Sequence, residues 1–129
     1  QTSQGRLAEI IVLDQFSRNM FRGSAQAFQF DSLAVALTQE AVAGGCDLTL
    51  PIQQRKFLYM PLMHSESLLI HEQAEKLFSQ PGFEDNYDFE IKHKKIIEQF
   101  GRYPHRNDIL GRVSTIEEQN FLSQPNSSF

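Results

Sequence analysis

Apolar residues recur at helical spacing along most of the chain, and no run shows the strict alternation of a half-buried strand. Residues 4–18 read as one helix. Leu7, Ile10, Ile11, Leu13 and Asp14 recur at helical spacing, and the face carrying Leu7 and Ile11 continues into Asp14 and Arg18. An apolar stripe thus turns polar near its end. Asn19 to Gly23 reads as a turn. Asp31 or Ser32 can cap a second helix running to about Ala43, with Leu33, Ala34, Leu37 and Ala41 on its inner face and Gly44-Gly45 as its stop. Cys46 to Leu50 reads as a loop. Pro51 suits the first turn of a third helix through Phe57 and Tyr59, which Pro61 is expected to end or kink.

Ser65 or Ser67 can cap a fourth helix carrying Leu68, Leu69, Ala74, Leu77 and Phe78, closed by Pro81-Gly82. Residues 83–86 read as polar loop. Tyr87 to Phe100 reads as a fifth helix with Ile91, Ile96, Ile97 and Phe100 inside and Gly101 as its stop. Ser114-x-x-Glu117 and Thr115-x-x-Glu118 are overlapping capping boxes that start a short last helix with Phe121 and Leu122. The pattern predicts an all-α fold of about six helices, antiparallel neighbours joined by short loops. Phe100, Ile97, Phe57 and Leu37 are expected in its core. Residues 1–124 form one helical domain and 125–129 a frayed tail. The chain begins at Gln1 without Met and is already helical near Gly5, which leaves open natural amino-terminal helices upstream.

The bulk numbers narrow the class. A length of 129 residues suits one domain, and 40% apolar with 22% charged residues is a soluble, globular balance. The longest apolar run, Ala8 to Leu13, contains Glu9 and is far too short for a membrane span. A net charge of −4 argues against a nucleic-acid partner, which needs a basic face to displace counterions. The single Cys46 excludes an internal disulfide and any Cys-rich zinc site, so a reducing cytoplasm is the expected compartment.

Two segments depart from this plain background. Residues 14–23 hold Asp14, Arg18, Asn19 and Arg22 among aromatics; residues 101–112 hold Arg102, Tyr103, His105, Arg106, Asn107, Asp108 and Arg112 around Pro104. Arginines outnumber carboxylates in both, so they are positive islands on an acidic chain. The planar guanidinium fork grips a carboxylate or phosphate with two bonds. The bland alternative is an Asp14–Arg18 ion pair one helical turn apart, with Arg106 and Asn107 serving helix-end carbonyls.

Together, Leu13-Asp14-Gln15-Phe16-x-Arg18-Asn19-x-Phe21-Arg22-Gly23, Tyr59-Met60-Pro61-Leu62-x-His64-Ser65-Glu66 and Phe100-Gly101-Arg102-Tyr103-Pro104-His105-Arg106-Asn107 resemble the bacterial domain of unknown function 924 family. The resemblance runs from about Gly5 to Leu122. It implies an all-α, tetratricopeptide-like fold and a family without an assigned biochemical activity. On the residues themselves, Ala74-x-x-x-Phe78 followed by Pro81 echoes the second helix of a tetratricopeptide repeat, but no first-helix pattern precedes it. Relatives usually carry Pro where this chain has Ser17, which implies a looser turn there, and tend to have extra helices before the point where this chain begins.

The candidate binding residues are Asp14, Arg18, Asn19, Arg22, His64, Glu66, Arg102, His105, Arg106, Asn107 and Arg112. No catalytic residue, metal ligand or cofactor is assigned. His64, Ser65 and Glu66 are sequence neighbours and cannot face one another on a helix, and no G-x-S-x-G elbow exists. His71-Glu72-Gln73-Ala74-Glu75 starts like the H-E-x-x-H zinc motif but lacks its second His. Gly44-Gly45-Cys46 is a helix stop, since no Lys-Ser/Thr follows, and Lys92-His93-Lys94-Lys95 reads as a solvated face. Two functions follow. The favoured one is an interaction module whose arginines clamp a carboxylate or other anionic group on a protein, peptide or small ligand. The alternative is a small enzyme or metabolite binder acting on an anionic substrate, with His64 or His105 as acid or base. An open groove would favour the first; a shared cavity would favour the second.

Overall fold

A computed structural model of the chain describes residues 2–128; Gln1 and Phe129, the outermost ends of the expected domain and tail, lie outside the described residues. The fold is all-α. The first helix, α1 (Ser3–Ile11), passes through a π-helical turn, Val12–Phe16, into the short α2 (Ser17–Met20). There follow α3 (Asp31–Ala43), α4 (Ile52–His64), α5 (Leu68–Phe78), α6 (Glu84–Phe100) and α7 (Ile116–Leu122). Short 3-10 turns at Ala25–Phe28, Cys46–Thr49 and Pro104–Arg106 shape the connections. The expected single helix over 4–18 is therefore one rod with a widened turn inside it. The widened turn falls where the buried stripe changes from Leu7 and Ile10 to Asp14 and Ser17. Ser17 stabilises it: its hydroxyl donates to the Val12 carbonyl at 3.3 Å, and its N–H reaches back to Val12 and Asp14. The serine ties this turn down rather than loosening it.

The main core gathers Leu7 and Ile10 of α1, Ala41 of α3, Leu58, Tyr59, Leu62 and Met63 of α4, and Ala74 and Phe78 of α5 around Phe83. Tyr59 and Phe78 meet edge-on with ring centroids 5.8 Å apart, and Phe83 lies 5.7 Å from Tyr59. A smaller cluster of Ile96, Ile97 and Tyr103, with Phe100 and Phe121 packed on it, joins α6 to α7. Three-residue and five-residue connections fold α5 and α6 back onto their predecessors. Gly101 at φ 70° closes α6 in the left-handed conformation that a side chain resists.

Several expectations change. Residues 83–86 are not a polar loop: Phe83 is fully buried and α6 begins at Glu84. One apolar residue flanked by polar ones carries no periodic signal, so its burial is a tertiary fact. Phe57 is 47% exposed and does not belong to the core; Leu58 and Tyr59 point inward in its place. Leu33, placed on an inner face, is exposed, and Leu37 and Phe100 are only partly buried. Pro61 does not end its helix. The proline removes one N–H, yet α4 continues to His64. One turn earlier the buried Thr38 hydroxyl donates to the Leu58 carbonyl at 2.8 Å, which pins α3 to this part of α4. His93, read as part of a solvated run, is buried on α6, and Lys94 reaches Glu75 of α5 at 2.6 Å.

Burial sets the expected cost of truncation. Phe83→Ala should destabilise by roughly 3–5 kcal/mol, and Phe57→Ala by about 1 kcal/mol or less. Urea unfolding of the two variants measures the difference; equal losses would place the core elsewhere.

Candidate functional site

The polar stripe of the first rod delivers Asp14 into the interior, where it is 1% exposed. Its Oδ1 accepts from His64 Nδ1 at 2.7 Å and from Arg18 NH1 at 2.9 Å, and its Oδ2 accepts from Gln15 at 3.0 Å. Burial alone would raise this carboxyl. The His64 hydrogen bond and the charges of His64 and Arg18 outweigh it and hold the carboxyl below the usual range. Arg18 also forks onto Asp31 at the start of α3, at 2.8 and 2.9 Å. With its Nδ1 on this carboxylate, His64 also lines the neighbouring hollow.

The second polar segment arrives from the far end of the chain. Pro104 starts the 3-10 turn that carries His105 and Arg106. Arg106 is 6% exposed. Its guanidinium lies between the rings of Phe28, at 4.5 Å, and Tyr103, at 4.7 Å, a doubled cation–π contact. Its NH2 donates to the His64 carbonyl at 2.7 Å, its NH1 stands 3.8 Å from Asp31, and its buried Nε has no hydrogen-bond partner. Burial and the charge of Arg18 pull its pKa down from the ordinary arginine value. Arg18 stands over the same Phe28 ring at 5.4 Å.

These groups line one cavity of about 260 Å³. Arg18, His64, His105 and Arg106 supply its polar wall, with His93 and Asn86 from α6; Phe28, Met60, Met63 and Phe89 supply the apolar wall. Burial holds His93 at about 4, and burial together with the Arg106 charge does the same to His105, so both imidazoles are neutral at pH 7. A second hollow, of about 490 Å³, opens beside it and shares Phe28 and Arg106, with Asp31 and Glu66 on its wall.

The remaining candidates lie elsewhere. Asn19 and Arg22 pair with each other at 3.0 Å on the exposed surface. Arg112 forks onto Glu66 at 3.0 Å through both nitrogens, and its Nε donates to Asn107 Oδ1. Glu66 also accepts from the Tyr103 N–H at 2.7 Å; burial would raise its carboxyl, and these donors lower it instead. Arg102 forks onto Glu118 at 2.8 and 2.9 Å. These four residues clamp the loop between α6 and α7. Sequence reasoning missed Phe28, Asp31 as an ion-pair partner, and His93. His93 had a readable signal, since it lies one turn before Ile97 on a predicted inner face. Phe28 and Asp31 had none. Among the described residues no cluster of His, Cys, Asp or Glu is arranged to hold a metal ion, and no helix is long and apolar enough to cross a membrane.

The family of bacterial proteins of unknown function known as DUF924 matches residues 1–126. The chain belongs to this family. A solved structure of a protein of unknown function from Agrobacterium tumefaciens superimposes with a TM-score of 0.89 at 37% identity, covering 94% of this chain and 68% of that one. No curated protein is significantly similar to the chain. The DUF924 match spans all three polar segments and assigns them no chemistry.

The loop clamp has a pH signature. The forked bond from Arg102 lowers the Glu118 carboxyl to about 2. An unfolded glutamate titrates near 4.3 (about that value in model peptides). A lowered folded pKa gives stability that is complete above the unfolded value and disappears as pH falls toward the folded one. Glu118→Gln should therefore be less stable than the parent at pH 7 and should lose less on acidification from about pH 5 to about pH 2. Thermal melts across that window read the difference.

Proposed function

We propose that this protein binds a small organic acid in the cavity between the π-helical turn and the 104–106 turn. The observation that carries the reading is the lining itself: Arg18, His64 and Arg106, remote in sequence, line one cavity with four apolar side chains. Small-molecule sites combine apolar walls with a few convergent polar groups in this way. The size suits a compact metabolite better than a peptide. Of the arginines outside the cavity, Arg102 is engaged with Glu118, Arg112 with Glu66 and Arg22 with Asn19. The metabolite-binder reading is accordingly preferred to the interaction module.

Charge shapes the expected affinity. Asp14 and Asp31 balance Arg18 and Arg106, so the cavity carries no large excess of positive charge. Attraction then comes from directed donors on the Arg106 guanidinium, whose Nε makes no hydrogen bond, rather than from a strong field. A carboxylate can accept from them while its carbon tail meets Met60, Met63 and Phe89.

A ligand that binds only the folded state raises the melting temperature. With 2-oxobutyrate as probe, the parent and Lys95→Ala should show the same rise. Arg106→Ala should show little or none, since a hydrogen bond to a charged group contributes roughly 1.5–3 kcal/mol. Equal responses from the two variants would remove the cavity as the binding site.

A further inference from the structure

In the small-acid reading Asp14 balances Arg18, but its second contact, with the ring of His64, has no part in holding a ligand. We infer that His64 is a general base, oriented by Asp14, and that the protein catalyses proton abstraction from the carbon beside the carbonyl of a 2-oxo acid. This inference rests on the small-acid reading of the same cavity.

Three observations lead there. First, Asp14 Oδ1 accepts from His64 Nδ1 at 2.7 Å, so Nε2 is the ring nitrogen left to exchange a proton. Because Asp14 is 1% exposed, water does not compete for that contact. A buried carboxylate behind an imidazole also stabilises the imidazolium that forms when the base takes a proton. Second, the carboxylate is placed by the π-helical turn Val12–Phe16, an uncommon widening that recurs at functional sites. Third, Arg106 stands on the same wall with its Nε lacking a hydrogen-bond partner, and its NH2 is tied to the carbonyl of His64 itself. Base and cation therefore share one backbone anchor, and their spacing is held.

The chemistry follows from what lines the cavity. No Ser or Cys side chain is among its lining residues, so covalent catalysis has no nucleophile there. A base beside a guanidinium can instead run an enolisation. A carbon next to a carboxylate alone is too weakly acidic for imidazole; a ketone carbonyl beside the carboxylate supplies the acidity. His64 Nε2 takes a proton from C3 of the 2-oxo acid. The C–H electron pair becomes the C2–C3 double bond, and the carbonyl pair moves onto oxygen, where guanidinium N–H groups meet the developing charge. The carboxylate stays on the arginine wall. Reversal returns a solvent proton from His64 to C3, so no oxidant or second substrate is needed.

The test is solvent exchange. 2-Oxobutyrate is incubated with the full chain in deuterated buffer, and proton NMR follows loss of the C3 signal against the methyl signal as internal reference. Saturation transfer in the same tubes reports binding. The parent should exchange C3 faster than buffer alone. His64→Gln should bind the acid yet exchange about a hundredfold more slowly. Asp14→Asn should likewise keep binding and lose exchange; should it fail to fold, as circular dichroism would show, His64→Gln alone decides. Lys95→Ala should match the parent. Binding without exchange would overturn the base assignment and leave the small-acid reading standing. Neither binding nor exchange would overturn both. Equal exchange in the parent and His64→Gln would also overturn the assignment.

Discussion

The site half of this molecule depends on one buried carboxylate. Asp14 is almost wholly removed from water, and an ionised carboxylate in that position is tolerable only with charged or strongly hydrogen-bonding partners. His64 and Arg18 are those partners, and the rest follows in sequence. His64 ties the end of α4 to the first rod. Arg18 needs more than one acceptor, so its fork reaches Asp31 and brings the start of α3 alongside. Arg106 then lies near Asp31, with its guanidinium on Phe28 and its NH2 on the His64 carbonyl. Each charge recruits the next, and the elements carrying them are pulled around one hollow.

A second buried polar group supports that hollow from behind. Tyr103 is fully buried, and its hydroxyl donates to the Met63 carbonyl at 2.6 Å and lies 2.9 Å from His71 Nε2. His71 in turn meets Glu90 at 2.7 Å with both side chains at zero exposure. Burial raises the Glu90 carboxyl even though His71 opposes the shift. An apolar trio of the same volume could pack as well or better. What the polar trio adds is direction: its bonds are satisfied only when the α4 end, α5, α6 and the 103 loop sit in one arrangement. The Arg102–Glu118 and Arg112–Glu66 forks then fasten the loop from outside.

The same pairing sets the electrostatics of the hollow. A wall built from arginines already paired with carboxylates cannot draw anions from afar, in keeping with the acidic chain. It holds its guanidinium groups in place through those pairs. The neutral His93 and His105 add polarity without adding charge.

By itself the sequence determined the helical character, the main helix stops and the two unusual polar segments. These are local properties: apolar spacing, Gly at a left-handed position, and a capping box that Thr115 and Glu118 do form. It also marked the stripe that turns polar at Asp14. It did not reveal that Phe83 is core while Phe57 is not, because a single aromatic has no periodicity to read. Nor did it reveal the widened turn at Val12–Phe16, Phe28 beneath two guanidinium groups, or His93 on the cavity wall. Among the arginines, composition could not separate Arg18 and Arg106, which line the cavity, from Arg102 and Arg112, which hold a loop. Only the tertiary structure decided that, since an arginine's role depends on which carboxylate reaches it, and these partners come from other elements of the fold.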